Sequence, residues 1–337
     1  MMSNLPSISV IVASYSGSLS TLKECLRLLR DQKYPQDKIE IILGHGGNKE
    51  EIVSILKEYK AKCVLIPKIK QNAEYNRGVA FNKAKNELVL ILDHDNFMPT
   101  RNFLLEYVEP LLKDKDVVAV ESCYYHYDRS FSLMERYFAL FGVLDPVPYY
   151  MGKADRMRQD SKKWNLLGKS RDMGNYYIVN FEKNPRKIPT VGTNGCLMRR
   201  KIVMENADVR PDHHFPIDVM VDVILSGYTK FAFVKNSLIH RTGYKGLISF
   251  LKRRYVFMTK YHFSESGNRR YSVYMKGDFW KLVKYLMYSV TFVKPAFDAF
   301  KGFIKIPDIA WFIHPFMCFG VTILYGYATV MNVFSKK

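Results

Sequence analysis

Over residues 7–123 the chain alternates short β-branched runs with stretches of helical period, a pattern that commits it to stacked βαβ units and a largely parallel sheet. Strand-like runs fall at 7–15 (SISVIVASY), 38–44, 63–67, 87–93 (ELVLILD) and 116–123. Between the first two, Ser20 caps a helix with Leu22, Leu26 and Leu29 on one face, and Tyr34-Pro35 stops it. Further helices are expected at 48–60, 72–85 and 100–113. The run ELVLILD ends abruptly in Asp93-His94-Asp95-Asn96. In open α/β sheets ligands gather at the carboxyl ends of the strands, so these acids stand where chemistry is expected.

Beyond residue 123 the alternation stops. Residues 124–187 are rich in Tyr, Lys and Arg without a sheet period, which reads as a partly helical insert. Strand patterns return near 188–199 and 230–239, with a helix at 216–226 between them. Residues 279–303 are helical in period and carry Lys281, Lys284, Lys294 and Lys301 among aromatic and aliphatic residues, as an in-plane amphipathic helix would. Residues 309–334 then run for 26 positions without Asp, Glu, Lys or Arg. As a helix that is ~39 Å, enough for a ~30 Å hydrocarbon core. Pro315, His314, Trp311, Tyr325 and Tyr327 suit interfacial or hairpin insertion as well as a span, and burial inside the protein is the third reading. The expected division is 1–245, with halves 1–123 and 124–245, followed by a basic and apolar region at 246–337.

Composition narrows the partners. Lys and Arg number 51 against 32 Asp and Glu, a net charge of +19, and 48% of residues are hydrophobic, so the chain is globular and its partner anionic. Residues 241–308 hold 14 of those cations and 4 acids, so the surplus is concentrated beside the apolar tail. Anionic lipid accounts for that placement, each Lys or Arg near such a surface being worth about 1 kcal/mol. Five scattered cysteines form no C-x-x-C pair, which argues against a disulfide framework or zinc module and fits a reducing cytosol. The sequence opens without a basic and then apolar leader, so no secretory signal is expected.

Four groups of residues could carry chemistry. Asp93 and Asp95, one residue apart at a strand end, suit a hard divalent cation and through it a diphosphate, although an Asp-rich turn looks the same. His240, ending the strand pattern at 231–240, could complete such a coordination or be structural. Asp218 and Asp222 share one face at a helix start, either as ordinary N-terminal charge or as a general base for an acceptor hydroxyl. The loop Val191-Gly192-Thr193-Asn194-Gly195 with Arg199 and Arg200 allows close backbone approach to a phosphate, or is a plain hairpin.

In this order the segments SISVIVASYSGSLSTLKECLRLLRDQKYP, DHDN, GTNGCLMRR and PID with GY and His240 resemble the inverting glycosyltransferase family 2, over roughly residues 5–245. The resemblance implies an α/β fold of GT-A type, a Rossmann-like mixed sheet flanked by helices, followed here by a membrane-associated helical region. It implies a donor nucleotide-diphosphate sugar, UDP- or GDP-linked, lying against Ser14, Tyr15, His45, Asn76, Asp93, His94 and Asp95. Mg²⁺ or Mn²⁺ would be held by Asp95 and His240, with Asp93 beside them. Asp218 would be the base, Asp222 its alternate, and Gly192, Thr193, Asn194, Gly195, Arg199, Arg253 and Arg254 would meet the acceptor. Departures from the family pattern are Gly44-His45-Gly46-Gly47 where it usually has two acids, Ile217-Asp218 for its Glu-Asp pair, and FLKRRY in place of the Q-x-x-R-W of processive members.

The resulting expectation is a metal-dependent inverting enzyme on the cytoplasmic face of a cell membrane, moving a hexose to a polyprenyl phosphate or lipid-linked glycan. In the insert, Lys153, Arg156, Arg158, Lys162 and Lys163 are candidates for the acceptor phosphate, or simply a solvated basic face. A soluble or polysaccharide acceptor is the alternative. Nucleotidyl transfer would want a cation in the loop after the first strand, where Ser14-Tyr15-Ser16-Gly17-Ser18 has none. A nucleic-acid-binding protein fits the charge, but no nucleic-acid motif is present and no nucleic acid is expected as partner.

Overall fold

A computed structural model describes residues 4–263 and 267–335. In chain order the first elements are β1 (Ile8–Tyr15), α1 (Leu19–Arg30), β2 (Ile39–Gly46), α2 (Lys49–Glu58), β3 (Lys62–Leu65), α3 (Ala73–Lys83), β4 (Leu88–Asp93), β5 (Asn96–Phe97), α4 (Phe103–Lys113) and β6 (Ala119–Tyr125). Then come α5 (Leu133–Phe141), α6 (Pro146–Tyr150), β7 (Lys169–Asp172), β8 (Tyr176–Asn180), β9 (Cys196–Arg199), α7 (Arg200–Asn206), α8 (Pro216–Leu225) and β10 (Lys230–His240). The last helices are α9 (Leu247–Phe257), α10 (Phe279–Thr291), α11 (Val293–Lys305) and α12 (Ile313–Ser335).

Met1–His126 and Gly168–Arg241 form one compact unit. Its sheet runs β3-β2-β1-β4-β9-β6-β10-β8-β7, with β5 paired to β10. Neighbours from β3 to β4 are parallel, as are β6 and β10, whereas β9 is antiparallel to both β4 and β6. The central strands β1 and β4 are buried along nearly their whole length, which is why they read as unbroken apolar runs. Helix α1 lays Leu22, Cys25, Leu26 and Leu29 on the sheet. It begins at Leu19 behind a short 3-10 turn, so Ser18 takes the N-cap position expected of Ser20. Two elements differ from expectation. The strand read at 188–199 is confined to β9, because Gly192, Asn194 and Gly195 adopt positive φ and turn the chain ahead of it. In 169–180 a hairpin forms about Gly174 where no sheet period was visible.

Tyr127–Leu167 and Thr242–Lys337 form the second unit, so most of the insert packs with the C-terminal helices. Its core joins Tyr137, Leu140 and Phe141 of α5 to Phe250 of α9, Trp311, and Met317 and Val321 of α12. The helix expected across 279–303 is two: Phe292 takes a φ of 61° and the chain restarts as α11. Pro295 explains the break, since its ring excludes the carbonyl that a continuous helix would put four residues back. Among the described residues one segment, Ile309–Phe334, is long and apolar enough to cross a membrane by length and composition.

Candidate active site

The parallel register brings the carboxyl ends of β1, β2 and β4 to one edge: Ala13 lies beside Asp93, and Ser14 beside His45. There Ser14 Oγ and His45 Nδ1 are 2.9 Å apart, and Asn76 of α3 donates to the Ser14 carbonyl at 3.3 Å. Helix α3 reaches this depth because residue 44 is glycine; a Cβ there would stand 2.0 Å from the Asn76 carbonyl oxygen. His45 is wholly buried, and burial lowers its pKa, disfavouring the charged imidazolium. Tyr15, by contrast, is exposed and sets its ring edge-on to His94, whose Nδ1 is 2.8 Å from Thr21 Oγ1.

Asp93 has a partner that sequence reasoning missed. Arg77 of α3, itself buried, donates from Nε to Asp93 Oδ1 at 2.9 Å and from Nη2 to Oδ2 at 3.3 Å, while Nη1 meets Glu74. Both oxygens of Asp93 are thus engaged by a guanidinium fork, which fixes the orientation of the carboxylate. The turn that follows is closed by Asn96 Oδ1 accepting from the Asp93 N–H at 3.1 Å. Strand β5 then pairs with the end of β10, placing Asn96 opposite His240, and the Arg241 N–H donates to the Asp95 carbonyl at 2.9 Å. Two residues far apart in sequence meet as a result: His240 Nε2 lies 3.7 Å from Asp95 Oδ2. Burial opposes a charge on Asp95, but the imidazoles of His240 and His94 outweigh it and hold the carboxyl below its ordinary pKa. The His240 ring also lies against Tyr125, 5.7 Å between centroids.

The glycine loop joins this group from the other side. Asn194 Nδ2 donates to Tyr125 Oη at 3.2 Å, and its Oδ1 accepts from Asn96 at 3.4 Å. The Gly192 N–H donates to the buried Glu121 at 2.6 Å, and the loop is pressed onto α8 so closely that a Cβ at Gly192 would be 2.5 Å from the Pro216 carbonyl oxygen. Thr193 is half-buried between these two anchors, and Gly195 donates to the Ile91 carbonyl at 3.0 Å. Asp218, two residues after Pro216 in the first turn of α8, is fully buried. Asp222, one turn on, accepts the Asp208 N–H at 3.1 Å and so holds a loop.

One expected contact, Arg199, does not assemble here. Arg199 pairs with Leu88 at the opposite end of β4, and its guanidinium donates to the carbonyls of Val117 and Leu111 at 2.8 and 2.7 Å, a role in fastening α4 to the sheet. In the second unit Arg254 is bound by Asp145 and the Tyr325 hydroxyl, each at 2.6 Å, while Arg253 lies over the Tyr244 ring. Lys153, Arg156 and Arg158, read as phosphate contacts or a solvated face, are buried beside Asp278, Asp155 and Asp160. They are internal ion pairs, whereas Lys162 and Lys163 are exposed.

A hard oxygen and a borderline nitrogen, converging at a strand end, fit a divalent cation of the Mg²⁺ or Mn²⁺ type. Among the described residues no third His, Cys, Asp or Glu side chain joins them in a self-sufficient metal cage. Such a pair leaves coordination positions for substrate oxygens, the arrangement of a cation held jointly by protein and diphosphate.

Glycosyl transferase family 2 matches residues 9–205, more than half the chain. An uncharacterised glycosyltransferase of Methanocaldococcus jannaschii is 28% identical over 137 residues, 39% of this chain and 46% of that relative, so the chain spans about half its length. The mannosyltransferase PcManGT of Pyrobaculum calidifontis, solved in complex with GDP-Man and Mn²⁺, superposes with a TM-score of 0.52 at 15% identity, covering 99% of this chain and 88% of that one. The first unit carries the expected mixed sheet, with the acid-bearing turn at the carboxyl end of β4. The chain belongs to glycosyl transferase family 2 and has its GT-A fold.

Proposed function

We propose that the chain transfers a sugar from a nucleoside-diphosphate donor to an acceptor held at a membrane, with inversion at the anomeric carbon. The observation that carries this reading is the meeting of Asp95 and His240 beside an Asp93 already fixed by Arg77. The buried His45, Ser14 and Asn76 line the end of β1 and β2, where the nucleoside would lie, with Tyr15 and His94 at its rim. A Mg²⁺ or Mn²⁺ ion on Asp95 and His240 would offset the charge that develops on the departing diphosphate. PcManGT, which shares the fold, was solved with Mn²⁺ and a GDP-sugar.

The Gly192–Gly195 loop, tied to Asn96 and Tyr125, is the acceptor wall, and Asp218 at the start of α8 is the base. In the transfer an acceptor oxygen bonds to the anomeric carbon as the bond from that carbon to the diphosphate oxygen breaks. A hydroxyl acceptor gives its proton to Asp218, whereas the attacking oxygen of a phosphate acceptor is already anionic and needs no base. The basic surplus in 241–308 beside the apolar 309–334 supports an acceptor carried on anionic membrane, a polyprenyl phosphate or lipid-linked glycan, at the cytoplasmic face.

The test is a panel of UDP- and GDP-sugars with Mn²⁺ or Mg²⁺, scoring nucleoside-diphosphate release with and without polyprenyl phosphate. Release should need the metal and rise with the lipid. Asp95→Asn should lower it by about a hundredfold or more while the chain stays folded. If Asp218→Asn retains most activity, the acceptor is a phosphate; release that no lipid stimulates contradicts the membrane acceptor.

A further inference from the structure

Helix α11 is built inside out for a soluble protein. Its small residues Pro295, Ala299 and Gly302 face the core, and Gly302 lies so close under Trp311 that a Cβ would come within 2.6 Å of the indole. Its large apolar residues face the other way, with Val293 71%, Phe297 61% and Ile304 67% exposed. Helix α10 repeats the pattern, burying Tyr285 and Ser289 while Trp280, Met287 and Val290 stand exposed. On α12, Met317, Val321 and Ala328 turn inward, and Phe316, Ile323 and Val330 outward. The three helices pack on one another, so their outward faces make a surface that water alone does not favour. Lys284 of α10 and Lys301 of α11 are exposed and have no ion-pair partner among the described residues.

The inner side of α12 argues against a helix surrounded by lipid. His314 meets the hydroxyls of Tyr137 and Tyr150 at 2.9 Å each, and Tyr150 donates to Asp298 at 3.1 Å. Eleven residues on, the Tyr325 hydroxyl is bound by Arg254, itself paired with Asp145 at 2.6 Å. In the 23-residue α12, ~35 Å long, Tyr325 would lie well inside ~30 Å of hydrocarbon and carry the Arg254–Asp145 ion pair with it, while the polar His314 cluster would sit at its edge. Helices α10 and α11, of 13 residues each and therefore about 20 Å long, are too short to cross beside it.

We propose that α10, α11 and α12 form a monotopic docking face that sinks its aromatic and aliphatic side chains into one leaflet of an anionic bilayer. Lys284 and Lys301 then meet lipid phosphates, and Ile309–Phe334 does not span. The choice of partner rests on the membrane reading above, but the test uses neither donor nor acceptor, so either proposal can fail alone.

The full chain is floated with vesicles of phosphatidylcholine, with or without phosphatidylglycerol. Phe297→Glu combined with Phe300→Glu should weaken binding to both by about tenfold or more, with the circular dichroism unchanged. Lys284→Glu with Lys301→Glu should remove only the preference for phosphatidylglycerol. As a measurement on the unaltered surface, brominated lipid should quench a fluorescence component that Trp280→Phe abolishes. In sealed membranes with the cytoplasmic face outward, protease should remove N-terminal and C-terminal tags alike. The proposal is overturned if the phenylalanine pair binds vesicles normally, if bromolipid leaves Trp280 unquenched, if the C-terminal tag alone is protected, or if the face instead pairs two copies of the chain in lipid-free solution.

Discussion

At the scale of single residues, the site depends on groups that hold the obvious acids in place. Arg77 shows this best, since its fork fixes both oxygens of Asp93 from a helix whose other duty is to cover β2. Removing one member of a largely buried pair strands the other, so Arg77→Met should cost about 3 kcal/mol in urea unfolding, and Arg77→Lys, which keeps the charge but loses the fork, should cost less. Equal stability of both variants with the wild type would mean that the pair is solvated. Asp93 and Asp95 were legible in the sequence because an apolar strand ended on them. Arg77 was not, because nothing in the period of A-E-Y-N-R-G-V marks which side of the helix will be buried. A charged residue flanked by Asn76 and Gly78, the latter packed against Pro211 and His214, is the only local hint.

At the scale of elements, strand endings and turns decide what meets. The two-residue strand β5, too short for any sequence pattern to reveal, carries Asp95 to His240 by pairing with β10. The glycine loop was legible as a loop, but its attachment to α8 was not, since that depends on a contact between segments that are distant along the sheet. Gly192 has a φ of 110° and no room for a Cβ. Gly192→Ala should therefore destabilise the first unit by about 2 kcal/mol and lower transfer more than donor binding. Thermal unfolding and separate donor titrations would show it, and an unchanged transfer rate would remove the loop from the acceptor site. The β7–β8 hairpin escaped notice because Lys169–Asp172 is exposed throughout and has no apolar face to alternate. Likewise the break at Phe292 needed a backbone conformation that only Pro295 foreshadowed.

At the scale of the molecule, the parallel half was readable because its core strands are buried on both faces, whereas the basic insert was misleading because three of its cations, Lys153, Arg156 and Arg158, turn inward to acids. Charge composition reports how many cations a chain has; which of them water sees is settled by packing. One consequence concerns acid stability. Asp308 is largely buried, which raises its pKa, but the Ala310 N–H, the Tyr127 hydroxyl and Arg136 prevail and hold it below the ordinary carboxylate value. A depressed folded pKa gives stability that is complete above the unfolded value and is lost as pH falls through the folded one. Asp308→Asn should thus destabilise the chain at neutral pH and differ progressively less from wild type below the ordinary carboxylate range, as measured by urea unfolding across pH. A constant difference would place the effect in packing alone.

The proposed site joins Asp95 and His240 to a divalent cation and, through it, to a nucleoside diphosphate. It is tested most directly by calorimetry of GDP and UDP binding to the chain in Mn²⁺, after chelation, and in Asp95→Asn and His240→Ala. Affinity for one of the nucleotides should fall at least about tenfold on chelation, and the variants should bind in Mn²⁺ no better than the chelated wild type. Equal affinity with and without the metal, or full metal dependence in either variant, would contradict it.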